Sequence, residues 1–153
     1  MGTKCSEVYD AFLSKIKDYE FGELDYDVMQ YDLMSMLRAA IADFRLCKVS
    51  LEINDRNKDN PVFVSTLTNE EIQILATIMK REWFRRIIAD TDVLLQKFGE
   101  ADFEFKSQAS HLNALNKAEV QLIDKEVKKK LSYYSRIKDG EIFDYGKLAG
   151  KNS

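Results

Sequence analysis

The chain has 153 residues, 45% hydrophobic and 32% charged, with a formal net charge of −3. That is one domain's worth of chain, long enough to bury roughly 70% of its unfolded surface and too apolar for global disorder. No apolar run approaches the roughly 20 residues a membrane helix needs, and the acidic balance argues against a protein that coats nucleic acid. The first predicted element is a short helix over residues 6–17, with Tyr9, Phe12, Leu13 and Ile16 on one stripe. An acidic link holding Gly22 follows, within a stretch from residue 18 to 32 that carries six acids and no base. From residue 25 to 44, Leu33, Leu37, Ala40, Ile41 and Phe44 recur at three- and four-residue steps, which predicts a second amphipathic helix. Val49, Leu51 and Ile53 then alternate with polar residues, and Val62, Phe63 and Val64 follow the turn-rich run 54–61. Residues 48–65 therefore predict a long-looped β-hairpin.

The third helix has a nearly complete start signal. Thr68 is placed to cap the free N–H groups of the first turn, Glu71 to reach back to the Thr68 amide, and Leu67 to clasp Ile72. Ile72, Leu75, Ala76, Met79, Trp83 and Ile87 then fall on one face, which puts Trp83 in the core or at its junction with the next helix. Residues 89–98 either extend this helix past a kink or form a separate one, and Gly99 fits the left-handed position after a helix end. Phe103 and Phe105 alternate as in an extended segment, so Ser107 is the expected cap of a fourth helix running to Tyr134. Leu112, Leu115, Val120, Ile123, Val127, Leu131 and Tyr134 lie near its seam, although the spacing slips between Leu115 and Val120. The expected fold is mostly α: a bundle of four or five helices in a single domain, residues 1–140, with a flexible, extended C-terminal tail over 141–153.

No catalytic constellation stands out. His111 is the only histidine, expected in the first turn of the fourth helix in a capping or packing role, which leaves no His-rich metal site. Cys5 and Cys47 have neither the spacing nor the companions of a zinc site or disulfide framework, which fits a reducing cytoplasm. The N-terminus lacks the apolar run of a secretory signal. Glu70 and Glu71 are explained by helix capping, and Gly22, Gly99, Gly140, Gly146 and Gly150 are isolated breakers rather than a phosphate loop. No enzyme activity, metal or cofactor is expected. Met29, Met34 and Met36, with Tyr26 and Tyr31, read as core or intersubunit packing.

Charge is unevenly spread. Residues 1–105 hold 13 Lys and Arg against 20 Asp and Glu, whereas residues 106–153 hold 10 against 6. Opposite ends of opposite sign suit head-to-tail self-association, and also suit two solvated faces. Lys80, Arg81, Arg85 and Arg86 on the third helix, with Lys128, Lys129 and Lys130 on the fourth, are candidate intersubunit or DNA contacts.

Three segments carry a resemblance: Glu71-Ile72-Gln73-Ile74-Leu75-Ala76 with Glu82-Trp83; Phe103-Glu104-Phe105-Lys106-Ser107-Gln108-Ala109-Ser110-His111-Leu112; and Tyr133-Tyr134-Ser135. Together they resemble head–tail connector (neck or adaptor) proteins of tailed bacteriophages infecting Gram-positive bacteria. The likeness covers the central and C-terminal half, while the N-terminal helices match only in style. It implies a structural virion protein, made in the host cytoplasm and located in the neck. Such a protein would form a ring of about twelve copies below the portal protein and extend the DNA exit channel. Its partners would be further copies of itself, the portal, other neck or tail proteins, and passing DNA held without specificity. The tail residues Ile142, Phe143, Tyr145 and Leu148 would then dock on the portal, with near-alternation suited to an added strand. Two other readings stay open on the residues alone: a small cytoplasmic helical adaptor or regulator that binds one protein partner, and a DNA-associated accessory factor using the two basic patches.

Overall fold

A computed structural model describes residues 2–16, 26–98 and 103–136 of the chain. It contains four helices, α1 (Cys5–Lys15), α2 (Tyr26–Asp43), α3 (Asn69–Phe98) and α4 (Phe103–Arg136). Two two-residue strands, β1 (Ile53–Asn54) and β2 (Val62–Phe63), pair antiparallel with Ile53 opposite Phe63. The helical class and the hairpin match the sequence expectation. Gly99 and the 141–153 tail lie outside the described residues.

Helix α3 is the hub, and α1, α2 and α4 all pack against it. Its residues Ile74, Leu75, Ala76, Thr77, Ile78 and Met79 are all buried, which a helix achieves only when neighbours surround it. Cys5, Val8, Tyr9, Phe12 and Ile16 from α1 and the segment after it join the same core as Leu33, Met36, Leu37, Ala40 and Phe44 from α2 and its end. Helix α4 adds Ile123, Val127 and Tyr134. The Thr77 hydroxyl is satisfied within its own helix, donating to the Gln73 carbonyl at 2.8 Å.

The start of α3 follows its local signal. Thr68 N–H donates to Glu71 Oε1 at 2.8 Å and Glu71 N–H donates to Thr68 Oγ1 at 3.2 Å, so two free donors of the first turn are satisfied reciprocally. The hairpin loop is organised by its asparagines: Arg56 N–H donates to Asn54 Oδ1 and Asp59 N–H to Asn57 Oδ1, each at 3.1 Å.

One element has no counterpart in the sequence reading. The chain before α1 runs antiparallel beside β2, with Lys4 bridged to Val62. Phe63 N–H donates to the Thr3 carbonyl at 2.7 Å, Thr3 N–H to the Ser65 carbonyl and Cys5 N–H to the Pro61 carbonyl, both at 3.1 Å. Thr3 Oγ1 also accepts from Leu67 N–H at 2.8 Å. A Cβ at residue 2 would collide with the Phe63 carbonyl, so Gly2 is what lets the two backbones come this close.

Of the two alternatives for residues 89–98 the extension holds, since α3 is continuous to Phe98. Three expectations are corrected. Helix α4 begins at Phe103, so Phe103 and Phe105 are helical and Ser107 lies within the helix rather than capping it. His111 is exposed and lies past the first turn that was expected to hold it. Leu112 and Leu115 are exposed, because the buried seam runs through Asn113, Ile123, Val127 and Tyr134 instead. Trp83 is half-buried at the core edge, its ring edge-on to the buried Phe84 at 5.1 Å.

The far end of α4 is held by a buried polar clasp. Tyr134 Oη donates to Glu71 Oε2 at 2.6 Å and accepts from Lys48 N–H at 2.8 Å, while Cys47 Sγ lies 3.4 Å from the same carboxylate oxygen. Burial alone would push the Glu71 carboxyl up, but hydrogen bonds from the Thr68 backbone, Tyr134, Cys47 and the Thr68 hydroxyl outweigh it and hold the carboxyl below the usual glutamate value. A depressed folded-state value means that Glu71 stabilises the fold above its unfolded value of roughly 4.3, and that this contribution is lost as pH falls through the lower folded value. Tyr134→Phe should destabilise by about 1–3 kcal/mol, since it strips a donor from a buried carboxylate. Glu71→Gln should flatten the acid limb of a stability-against-pH curve from urea denaturation; an acid limb as steep as the wild type would count against the clasp.

Candidate interaction surface

Past residue 84, no side chain of α3 is buried among the described residues, and on the facing part of α4 only Asn113 is. The distal halves of α3 and α4 thus form a two-helix arm, roughly 20 Å long at 1.5 Å per residue. Asn113 bonds across it, its Nδ2 donating to Asp92 Oδ1 at 2.7 Å and approaching the Ile88 carbonyl at 3.5 Å, while Ile88 and Leu95 on α3 and Phe105 and Ala109 on α4 are half-buried.

The arm and the outer face of α4 carry six of the large exposed apolar side chains among the described residues, the others being Tyr31 on α2, Leu46 and Val64. Val93 and Leu94 on α3 and Leu112, Leu115, Leu122 and Tyr133 on α4 are 45–60% exposed. The four on α4 are spaced by three, seven and eleven residues, so they form one stripe about a third of a turn from the buried seam. Glu119, Glu126 and Lys129 fall on the same stripe. At its C-terminal end, Lys129, Lys130 and Tyr133 meet Glu70, Gln73 and Ile74 across a shallow groove of about 330 Å³. The sequence reading missed the stripe because it assigned Leu112 and Leu115 to the seam. The slip in spacing between Leu115 and Val120 was the available signal.

The cationic cluster on α3 is engaged within the fold. Arg81, its side chain only 12% exposed, places Nη2 2.6 Å from Asp43 Oδ2 and Nη1 3.0 Å from Asp124 Oδ1. This ties α2, α3 and α4 together. Arg85 reaches the same Asp124 carboxylate at 3.6 Å, and Lys80 reaches Glu119 at 3.9 Å. Arg86 bonds Glu82 at 3.3 Å and the Ser35 hydroxyl at 3.0 Å. On α4, Lys130 pairs with Glu126 at 3.8 Å, while Lys128 and Lys129 are exposed. Lys80 of α3 and Lys130 of α4 both lie near enough to Lys15 of α1 to act on it, and its burial together with these two charges holds its ammonium below the usual lysine value. Ile142, Phe143, Tyr145 and Leu148 lie outside the described residues.

The residues with catalytic or metal-binding potential are scattered. No group of three His, Cys, Asp or Glu side chains able to hold a metal ion exists among the described residues. Burial pushes the Cys5 thiol up to about 12 against the opposing pull of Arg38, and burial likewise raises that of Cys47 beside the Glu71 carboxylate. Neither environment favours a thiolate nucleophile. No helix is long and apolar enough to cross a membrane among the described residues. No family model, curated protein or solved structure matches the chain.

Arg81 is the clamp's only cation to reach both acids, so Arg81→Met should leave Asp43 and Asp124 facing each other without their shared partner. Because both acids are partly solvated, the loss should fall between the values for surface and buried pairs, about 2 kcal/mol. Arg81→Lys should restore only part of this, because a single ammonium does not fork between two carboxylates. Urea denaturation of the three proteins measures both effects, and full recovery with lysine would refute the forked arrangement.

Proposed function

We propose that this protein is a structural assembly protein, and specifically a head–tail connector subunit that joins others of its kind in a ring below a phage portal. The observation that carries the assembly reading is the exposed apolar stripe on α4 continued by Val93 and Leu94 on the arm. Exposed apolar side chains aligned on one helix face and interleaved with Glu119, Glu126 and Lys129 suit a mixed apolar and polar protein–protein contact, and a rigid helical face presents it with little ordering cost. The finer reading, a phage neck protein, rests on the sequence resemblance together with the uneven charge.

In a ring, each copy needs two different lateral faces that complement one another. The stripe supplies one. The carboxylates Glu7, Asp10 and Asp32 of α1 and α2 would supply partners for the exposed Lys129 on the stripe and Lys128 beyond it. The same lysines, both exposed, would make only salt-sensitive, non-specific contact with DNA.

Leu112→Glu combined with Leu115→Glu should leave helicity and thermal melting nearly unchanged, since neither side chain contributes to the core. The pair should abolish ring formation in the presence of portal, scored by negative-stain microscopy and sedimentation. Unimpaired assembly would remove the stripe from the interface. Deleting residues 141–153 should separately abolish portal pull-down while sparing the melt; a truncated chain that still binds portal would move attachment away from Ile142, Phe143, Tyr145 and Leu148. A chain that binds another single partner, with no response to portal, would instead favour the adaptor reading.

A further inference from the structure

The exposed stripe on α4 has a regularity that the packing against α3 does not use. From Leu112 to Arg136 it advances by alternating steps of three and four residues without a slip. Glu119, Glu126, Lys129 and Arg136 fill the positions that its apolar side chains leave. Alternation of this kind is the heptad frame of a helix that pairs with another helix. The seam toward α3 has its own residues about a third of a turn away, so the frame is not answered within the chain. Every position on it is exposed except Glu119, whose side chain is still 40% exposed.

The charges on the stripe select the direction of a partner helix. A second copy laid parallel would set Glu119, Glu126, Lys129 and Arg136 each against its own twin, and these like-charge layers oppose association. Laid antiparallel about a two-fold axis between Leu122 and Glu126, the same helix meets Glu119 with the partner's Lys129 and Leu115 with the partner's Tyr133. Symmetry makes each contact twice. Leu112 falls beside the aliphatic stem of the partner's Arg136. The layer of Leu122 against the partner's Glu126 is the weakest, and Lys130 already answers that carboxylate at 3.8 Å. Glu119 is tied to Lys80 only at 3.9 Å, loosely enough to take a second cation. A slip of one heptad in one direction sets Leu112 and Leu115 against the partner's Lys129 and Glu126; a slip in the other leaves both leucines uncovered. Shape agrees with charge. Tyr133 walls the groove of about 330 Å³ at the C-terminal end of the stripe, and Leu112 and Leu115 protrude from the arm at its other end, 52% and 55% exposed. Antiparallel pairing brings these leucines to that groove, once at each end.

We infer that the stripe's first partner is the stripe of a second copy of this chain, in an antiparallel two-fold pair that forms before any ring. The inference rests on the stripe being a contact surface and not on the phage neck reading. Such a pair is closed: both stripes are covered, so no further copy adds to them. Lateral assembly with portal has to open the pair, which keeps the apolar face out of solvent until the ring contact replaces it. One helix face about 36 Å long is narrow for a dimer, which sets a Kd on the order of 10 μM.

Analytical ultracentrifugation of the full-length protein without portal tests it, and a monomer–dimer equilibrium near that Kd is expected. Leu112→Glu with Leu115→Glu should abolish the dimer. Glu119→Lys or Lys129→Glu alone should weaken it about tenfold or more, since each turns two attractive layers repulsive. Combining Glu119→Lys with Lys129→Glu should restore the wild-type affinity, because the exchanged charges meet only across an antiparallel pair in this register. A parallel pair, or the register one heptad away, gains nothing from the combination. Circular dichroism and thermal melting of every variant separate loss of pairing from loss of fold. A protein that stays monomeric at ten times the expected Kd overturns the inference and leaves the stripe to a different protein. So does a dimer indifferent to the two leucine substitutions, association that continues beyond two copies, or a double charge variant as weak as the single ones. Ring formation with portal is scored separately. A dimer that never forms rings keeps this inference and removes the connector reading, and rings from a strictly monomeric protein do the reverse.

Discussion

Six consecutive side chains of α3, from Ile74 to Met79, are withdrawn from solvent, and covering a helix on every side constrains all that surrounds it. A stretch of six spans more than one and a half turns, so no single partner helix suffices. Helices α1 and α2 pack on it, as does α4. The small Ala76 and the self-satisfied Thr77 allow close approach without an unpaired polar atom. Where this run ends, at Lys80 and Arg81, charge begins and the core is complete soon after, with Phe84 its last buried residue on α3.

The pairing of α3 with α4 has a register that polar contacts make explicit. Glu71 meets Tyr134, Arg81 meets Asp124, and Asp92 meets Asn113. The members of each pair have residue numbers adding to the same value, as two straight antiparallel helices require. Successive pairs are separated by ten or eleven residues on both helices, which is close to three full turns. Each contact therefore recurs on the same face, and none needs a kink. Apolar side chains alone tolerate sliding by a turn, since one leucine fills another's place with modest loss. A carboxylate that must find a tyrosine hydroxyl, or two acids that must find one guanidinium, do not tolerate it, because a shifted register leaves a desolvated polar group unpaired.

What was legible in the sequence is what depends on neighbours close along the chain. Thr68 and Glu71 specify a helix start from within four residues, and Asn54 and Asn57 organise the hairpin loop from within two. The helical stripes of α2 and of early α3 were readable because their apolar side chains recur with helical spacing. The pairing of residues 2–4 with β2 was hidden, since its partners lie some sixty positions away and Gly2 shows no sign of them. The start of α4 was misread because Phe103-Glu104-Phe105 alternates like a strand over a stretch too short to reveal its period. The buried face of α4 was misread because Leu112 and Leu115 are more apolar than Asn113, which is the residue that turns inward. Arg81 looked like part of a basic patch for the same reason: its carboxylate partners come from two other helices.

That inversion at residues 112–115 bears on what the arm is for. An isolated helix pair normally joins through its apolar residues, and a protein that needed only a stable arm would turn the leucines inward. Here Asn113 and Asp92 bond across the arm alongside the half-buried Ile88, Leu95, Phe105 and Ala109, and Asn113 Oδ1 is buried with no partner among the described residues, at a cost to stability. The leucines face outward instead, where the proposed assembly would bury them. Docking such a face releases its apolar area from water at about 25 cal/mol per Å², and the helices beneath are already ordered. Fold and contact are thus assigned to different side chains of the same helix. A substitution on the stripe can alter association without touching the core, and one in the register contacts can weaken the core without altering the chemistry of the stripe. This separation is what the proposed assembly would require of a chain that folds before it meets other copies.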